Sequence, residues 1–311
     1  MVLITDLTPT CELLWNPLYL REKDGETLLN QRILKIIPKN DSVSKLFLLN
    51  FLQTSFYKKV IIETASGSTV RHSSSKVIAW LNLLIPSFPE QQKIASFLSL
   101  ADEKIEKLKN KKSLIEKYKK WVMQKIFSQE IRFKDENGEE YGVWEEKELG
   151  KLLDYEQPTK YLVASEEYND SYKTPVLTAW KTFILWYTNE LNWIFDKWLP
   201  VIIFDDFTTA IQFVNFSFKA KSSAMKILSA TNGNNVKFLY EILCSIDFQI
   251  WWHWRHWISV FANMRVLIPC IAEQDKIAAF VSEIDAKIES LSSEIEQAER
   301  WKKGLLQGMF V

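Results

Sequence analysis

The chain has 311 residues, with 39 Lys and Arg against 39 Asp and Glu, so its formal net charge is zero. A composition 47% hydrophobic and 25% charged excludes a disordered polymer. No apolar run reaches the roughly 18 residues of a membrane span, no basic-then-apolar signal pattern opens the chain, and zero net charge excludes a uniformly basic nucleic-acid glove while allowing a local basic face. The length predicts roughly two domains. Three widely spaced cysteines (Cys11, Cys244, Cys270) make neither a disulfide framework nor a metal cluster, which fits a reducing cytoplasm.

One pair of counts is anomalous. Glycine numbers 8 of 311 and tryptophan 13 of 311. Together they make 21, close to the about 7% that glycine alone usually supplies.

In chain order, RILKIIP (32–38) reads as a strand and FLLNFLQTSFYKKV (47–60) as an amphipathic helix. SGSTVRHSS (66–74) is a loop carrying Arg71-His72, and LNLLIP (81–86) reads as a short apolar strand running into proline. A long helix follows. Leu98, Ala101, Ile105 and Leu108, continued by Ile115 and Val122, keep the 3–4 alternation of a coiled-coil seam, and Pro89 suits the first turn. RFKDENGEEYG (132–142) is a polar linker, and VWEEKELGKLL (143–153) opens a second block. Within that block TFILWYT (182–188), LPVIIFDDF (199–207) and MKILSA (225–230) read as strands, and FLYEILCSIDFQI (238–250) as a short helix. IWWHWRHWIS (250–259) is a loop carrying Arg255-His256, VLIP (266–269) a strand, and a second long helix has its seam at Val281, Ile284, Ile288, Leu291, Ile295 and Ala298.

The two halves are a repeat. Residues 86–127 and 269–310 align without a gap at an offset of 183, identical at 18 of 42 positions. From Glu90 to Phe127 the balance of charge is +5, and from Glu273 to Phe310 it is −3. Equal register with opposite charge predicts that the helices pair with each other, antiparallel, since a block of well over a hundred residues lies between them. At the same offset Met1 corresponds to residue 184, so the first block is expected to lack the counterpart of the second block's opening 40 or so residues.

The layout of block, helix starting PSFPEQQKIASF, linker with WEEKELG, second block and helix starting PCIAEQDKIAAF and ending KKGLLQGMF resembles the DNA-specificity subunit of type I restriction–modification systems, across essentially all 311 residues. The resemblance implies an α+β fold: two globular α/β target recognition domains separated by two long helices forming an antiparallel coiled coil. The expected divisions are 1–88 (a partial first recognition domain), 89–130 (first helix), 131–143 (linker), 144–270 (second recognition domain) and 271–311 (second helix). It implies sequence-specific recognition of double-stranded DNA, with methyltransferase subunits and a motor-nuclease subunit as partners carrying the adenine methylation and the cleavage. No cofactor, membrane or catalytic role for the chain itself is expected. A coiled-coil scaffold whose blocks bind protein is the alternative.

The residues agree with a non-enzymatic reading: neither a phosphate-binding loop nor a glycine-rich dinucleotide turn is present. Asn16-Pro17-Leu18-Tyr19 resembles an aminomethylase loop without an accompanying S-adenosylmethionine site. Asp205-Asp206 ends a strand without the Glu-x-Lys of a nuclease and reads as a turn or local polar contact, and His253, His256 and Cys270 lack metal-ligand spacing. DNA contact needs cations for phosphates and polar groups for base edges. Candidates are Lys160, Tyr161, Lys181, Lys219, Lys221, Arg255 and His256 in the second block, with Gln157, Thr159, Ser222 and Ser223 for bases. In the first block they are Ser68, Thr69, Arg71 and His72, with Arg21 and Lys23. Leu98, Ala101, Ile105, Leu108, Ile284, Ile288, Leu291 and Ile295 are the expected helix-interface residues.

The repeat also bears on tryptophan. Trp121 aligns with Gly304, and Trp251, at an offset of 184, with Gly67. Trp180, Trp193 and Trp198 stand at turn-like sites suited to glycine. The pattern predicts that most tryptophans here replace glycines encoded by a reassigned UGA codon, while Trp144, Trp257 and Trp301 are genuine. The competing reading takes Trp251, Trp252, Trp254 and Trp257 as an aromatic platform for unpaired bases.

Overall fold

A computed structural model describes residues 2–5, 7–8, 17–20, 33–67, 71–72, 74–178, 182–247 and 256–310. They divide into two units, residues 1–114 with 288–311, and residues 115–287.

The first unit begins with β1 (Val2–Thr5), β2 (Leu7–Thr8), β3 (Pro17–Tyr19) and β4 (Ile33–Ile36). An antiparallel sheet has the order β3-β1-β4. The expected helix over 47–60 is two helices, α1 (Lys45–Phe51) and α2 (Ser55–Thr64). The break falls where Thr54 starts the second helix, its hydroxyl accepting the Tyr57 N–H at 3.2 Å. Phe51, Leu52, Tyr57 and Ile61 form the core here, and Phe310 packs on it, 5.0 Å from the ring of Phe47. Arg71-His72, expected in a loop, is the short strand β5 (Arg71–His72), paired antiparallel with β2. After α3 (Ser75–Ala79), residues 81–87 are not a strand, contrary to expectation, and Leu84 is 92% exposed.

The second unit shows why. Its counterpart strand, β14 (Arg265–Ile268), pairs with β6 (Glu145–Glu148). Among the described residues no strand pairs with 81–86, and a strand forms only where another backbone completes its hydrogen bonds.

In the second unit β6 leads into α5 (Leu149–Leu152) and β7 (Leu153–Glu156). There follow β8 (Thr174–Leu177), β9 (Ile184–Thr188), β10 (Val201–Asp205), β11 (Ile211–Val214), β12 (Lys219–Ala220) and β13 (Met225–Ala230). One sheet has the order β11-β10-β13-β7, all antiparallel. Another has the order β12-β8-β9, with β12 parallel to β8. The unbroken apolar run of β10 is what a central strand covered on both faces requires. Val201 and Ile203 join the cluster of Leu177, Phe195 and Phe218. Phe204, on the other face, meets the rings of Trp257 and Phe261 at 5.4 and 4.9 Å. The chain continues through α6 (Val236–Ser245) and α7 (His256–Ser259) to β14.

The long helices are α4 (Phe88–Phe127) and α8 (Ile271–Met309). In the first unit Lys302 bonds Asp102, Lys109 bonds Glu299 at 2.6 Å, and Phe97 meets Trp301 edge-on at 5.9 Å. Numbers rising along α4 against numbers falling along α8 make the pair antiparallel. In the second unit Lys119 bonds Asp285 at 2.8 Å. The seam is inside: Leu98, Ala101, Ile105, Val122, Val281, Ile284 and Leu291 are buried, and Leu108, Ile115, Ile288, Ile295 and Ala298 half-buried. Among the described residues no helix is long and apolar enough to cross a membrane.

Candidate nucleic-acid interface

The two helix starts are anchored alike. Gln91 donates from Nε2 to the carbonyls of Pro86 and Ser42, each at 2.9 Å, and its Oε1 accepts the N–H of Ser44 at 2.8 Å. Ser44 is the residue that caps α1. Gln274, 183 positions on, donates to the carbonyl of Pro269 and to Asn234 Oδ1, each at 3.0 Å, and accepts the N–H of Asn235 at 3.0 Å. Asn235 caps α6. An amide can donate and accept at once, and both are 1% exposed. The glutamine at each helix start therefore ties the start of its long helix to the cap of an earlier short helix, Gln91 to that of α1 and Gln274 to that of α6.

The preceding glutamates differ. Glu273 is fully buried, takes Arg132 at 3.2 and 2.7 Å on its two oxygens, and accepts the indole N–H of Trp144 at 3.1 Å. Glu90 is exposed. Arg132 of the linker and Trp144, just before β6, supply what satisfies Glu273.

A four-charge cluster ties α6 to both helix segments of the second unit. Lys119 and Lys237 each bond both Glu241 and Asp285, at 2.6–2.9 Å. Burial alone would raise the Asp285 carboxyl, but hydrogen bonds from Lys119 and Lys237 outweigh it and hold the group below the ordinary aspartate range.

Two of the loops singled out in the sequence lie side by side at one rim of the β12-β8-β9 sheet. Pro158–Tyr161 forms a 3₁₀ turn, Leu162 bridges to Ala220, and the Val163 N–H donates to the Ala220 carbonyl at 3.0 Å. This sets Thr159 and Lys160, both exposed, near Lys221, Ser222 and Ser223. Tyr161 rests edge-on against Phe195 at 5.0 Å and donates its hydroxyl proton to Glu156 at 3.0 Å, and Gln157 is half-buried. Lys221 bonds Glu166 at 2.7 Å and the Tyr168 hydroxyl at 3.0 Å. Glu166 and Tyr168 drew no notice in the sequence, because only the fold brings them to Lys221.

Other candidates are placed differently. Lys219 is 2% exposed, bonded to Glu190 and to the Asn192 carbonyl. Glu190 also accepts the N–H groups of Ala164 and Ser165 at 3.0 and 2.9 Å. Lys219 is therefore an internal strut and not the surface cation expected, since a buried ammonium needs its own counter-charge. His256 is likewise buried, at the start of α7, where its N–H donates to the Asp206 carbonyl at 3.1 Å. Asp205 accepts the N–H groups of Phe207 and Thr208 in a turn, and Asp206 forms a fully buried pair with Lys226 at 3.1 Å. Arg71 and His72 are placed only as backbone of β5. Ser68, Thr69, Arg21, Lys23, Lys181 and Arg255 lie outside the described residues, as do Trp15, Trp180, Trp251, Trp252, Trp254 and Asn16.

Residues 18–117 match the family profile described as type I restriction modification DNA specificity domain. Residues 18–117 thus resemble that DNA-specificity family. Over 141 residues it is 49% identical to the type I restriction enzyme EcoR124I/EcoR124II specificity subunit of Escherichia coli, covering 44% of this chain and 35% of that protein. It is 29% identical over 118 residues to the MjaVIII specificity subunit of Methanocaldococcus jannaschii, covering 38% and 28%. The matches thus span about a third of these family members' lengths. The type I restriction–modification S subunit from M. genitalium has the same fold at 17% identity, with a TM-score of 0.60 over 100% of this chain and 82% of that one.

Proposed function

We propose that this chain reads double-stranded DNA as the specificity subunit of a type I restriction–modification complex. The observation that carries this is the 49% identity to a specificity subunit. Residues 144–270 act as a target recognition domain, and residues 1–88 as a partial one. Residues 89–130 and 271–311 are the spacer between them, joined through the linker 131–143. Methylation and cleavage belong to methyltransferase and motor-nuclease subunits, which the chain directs in the cytoplasm without a cofactor of its own.

The rim of loops 157–161 and 218–223 supports the reading. It offers Lys160 and Lys221 to phosphates, and Gln157, Thr159, Ser222 and Ser223 to base edges. The acids Glu156 and Glu166 beside these groups hold the loops in place and oppose indiscriminate attraction to phosphate. Lys181, Arg255, Arg71, His72, Ser68 and Thr69 complete the proposed contacts.

The test joins the chain to the methyltransferase subunit encoded beside it and measures binding to a random duplex library at several salt concentrations. Enrichment of one sequence, with affinity falling linearly in the logarithm of salt, is expected. Binding that is equal for all duplexes would overturn the proposal.

A further inference from the structure

Two exposed tryptophans occupy a backbone conformation that belongs to glycine. Trp193 has φ 55° and Trp198 φ 60°, and they are 68% and 81% exposed. In that left-handed region the Cβ crowds the neighbouring carbonyl, so only residues without a Cβ, or with short polar side chains such as Asn, visit it freely. Among the described residues three other non-glycine residues share the region, Gln129 at φ 59°, Thr209 at φ 54° and Asn232 at φ 54°, the last preceding Gly233 at φ 75° in a turn. Neither Trp193 nor Trp198 is in an aromatic pair among the described residues. At each position a bulky, largely exposed apolar ring thus sits on strained backbone.

The tryptophans read from the sequence as genuine have ring partners instead. Trp144 is buried, edge-on to Phe238 and bonded to Glu273. Trp257 is buried against Phe204, and Trp301, though 52% exposed, meets Phe97 edge-on at 5.9 Å.

The repeat extends the contrast. Gly67, which aligns with Trp251, has φ 106°, so that turn in the first block requires glycine. Gly304 lies on an open face of α8 where a Cβ would meet nothing within 4 Å, and its counterpart Trp121 on α4 is 49% exposed. The ring of Trp121 lies 6.1 Å from that of Tyr118 on the same helix face and is half exposed, so the aligned Gly304 is the sign that position 121 suits glycine.

We propose that the native protein carries glycine at positions 193 and 198, and by the repeat at 121 and 251, because its gene encodes them as UGA and the source cell reads UGA as glycine. The shortage of glycine and the surplus of tryptophan are then one substitution seen twice. Trp144, Trp257 and Trp301 are encoded by UGG.

The test is peptide sequencing by mass spectrometry of the full chain purified from the source cells, together with the codons of its gene. Glycine in the peptides covering 193 and 198, with UGA at both, is expected. Tryptophan at either position, or a UGG codon at either, would overturn the proposal. A second measurement compares the recombinant chain as written with its W193G/W198G variant by chemical denaturation. The glycine variant is expected to have the higher midpoint. A lower one would overturn the reading of these turns as glycine sites.

Discussion

Gln91 and Gln274 make equivalent hydrogen bonds in separate units, each bonding the carbonyl of the proline five residues before it and the N–H of the residue capping the preceding short helix. The repeat is therefore one of polar wiring as well as of apolar spacing. In both copies a neutral amide is required, because one atom donates while the other accepts.

Replacing either glutamine by alanine strands a part-buried cap N–H and a proline carbonyl. Each change is expected to cost roughly 1–3 kcal/mol, the penalty for leaving a buried polar group unmade. Gln274→Glu should restore little, since a carboxylate cannot donate to Pro269. Chemical denaturation of the single variants measures this, and a loss below about 0.5 kcal/mol for both would contradict it.

Asp206→Ala leaves the ammonium of Lys226 buried without its counter-charge. The expected loss is roughly 3–5 kcal/mol. Pairing it with Lys226→Met should recover a substantial part, because an apolar pair needs no counter-charge. Additive losses in the double variant would show that the two residues do not act together.

Stability should fall on the acid side through Asp285. Its carboxyl titrates lower in the folded chain than in the unfolded one, where the ordinary value is about 3.9. The stabilisation is therefore present above that value and is lost as pH falls through the lower folded value. Lys119 is the opposite case: burial works to lower it, but Asp285 and Glu241 together raise it. Its contribution is present below the unfolded lysine value of about 10.4 and is lost as pH rises through the folded one. Denaturation midpoints across pH should show both limbs, and Asp285→Asn should flatten the acid one.

Lys221 and Lys219 should separate by assay. Lys221→Ala is expected to lower the salt dependence of DNA binding by about one counterion while leaving folding nearly intact. Lys219→Met, by contrast, should destabilise the fold by stranding Glu190, with the salt slope unchanged in the protein that remains folded. Salt-dependent affinity and thermal melting of both variants check this.

The long helices, their seam and the repeat were legible in the sequence because they are local. Leu98 to Leu108 and Val281 to Leu291 face inward by spacing alone, and opposite charge on equal register names the partner helix. Trp301 was legible for a related reason, since the aligned aromatic Tyr118 marks it. What only the tertiary structure decided is which charged groups are free. Lys219 and Lys221 sit two residues apart in one segment, yet the first is buried on Glu190, 29 positions away, and the second is half-buried on Glu166, 55 positions away. Residues 81–86 show the same limit, being as apolar as β14 yet not a strand, because a strand exists only where another backbone completes its hydrogen bonds. Spacing along the chain dictates which face a residue takes, whereas burial of a charge and pairing of a strand depend on groups that folding brings from elsewhere.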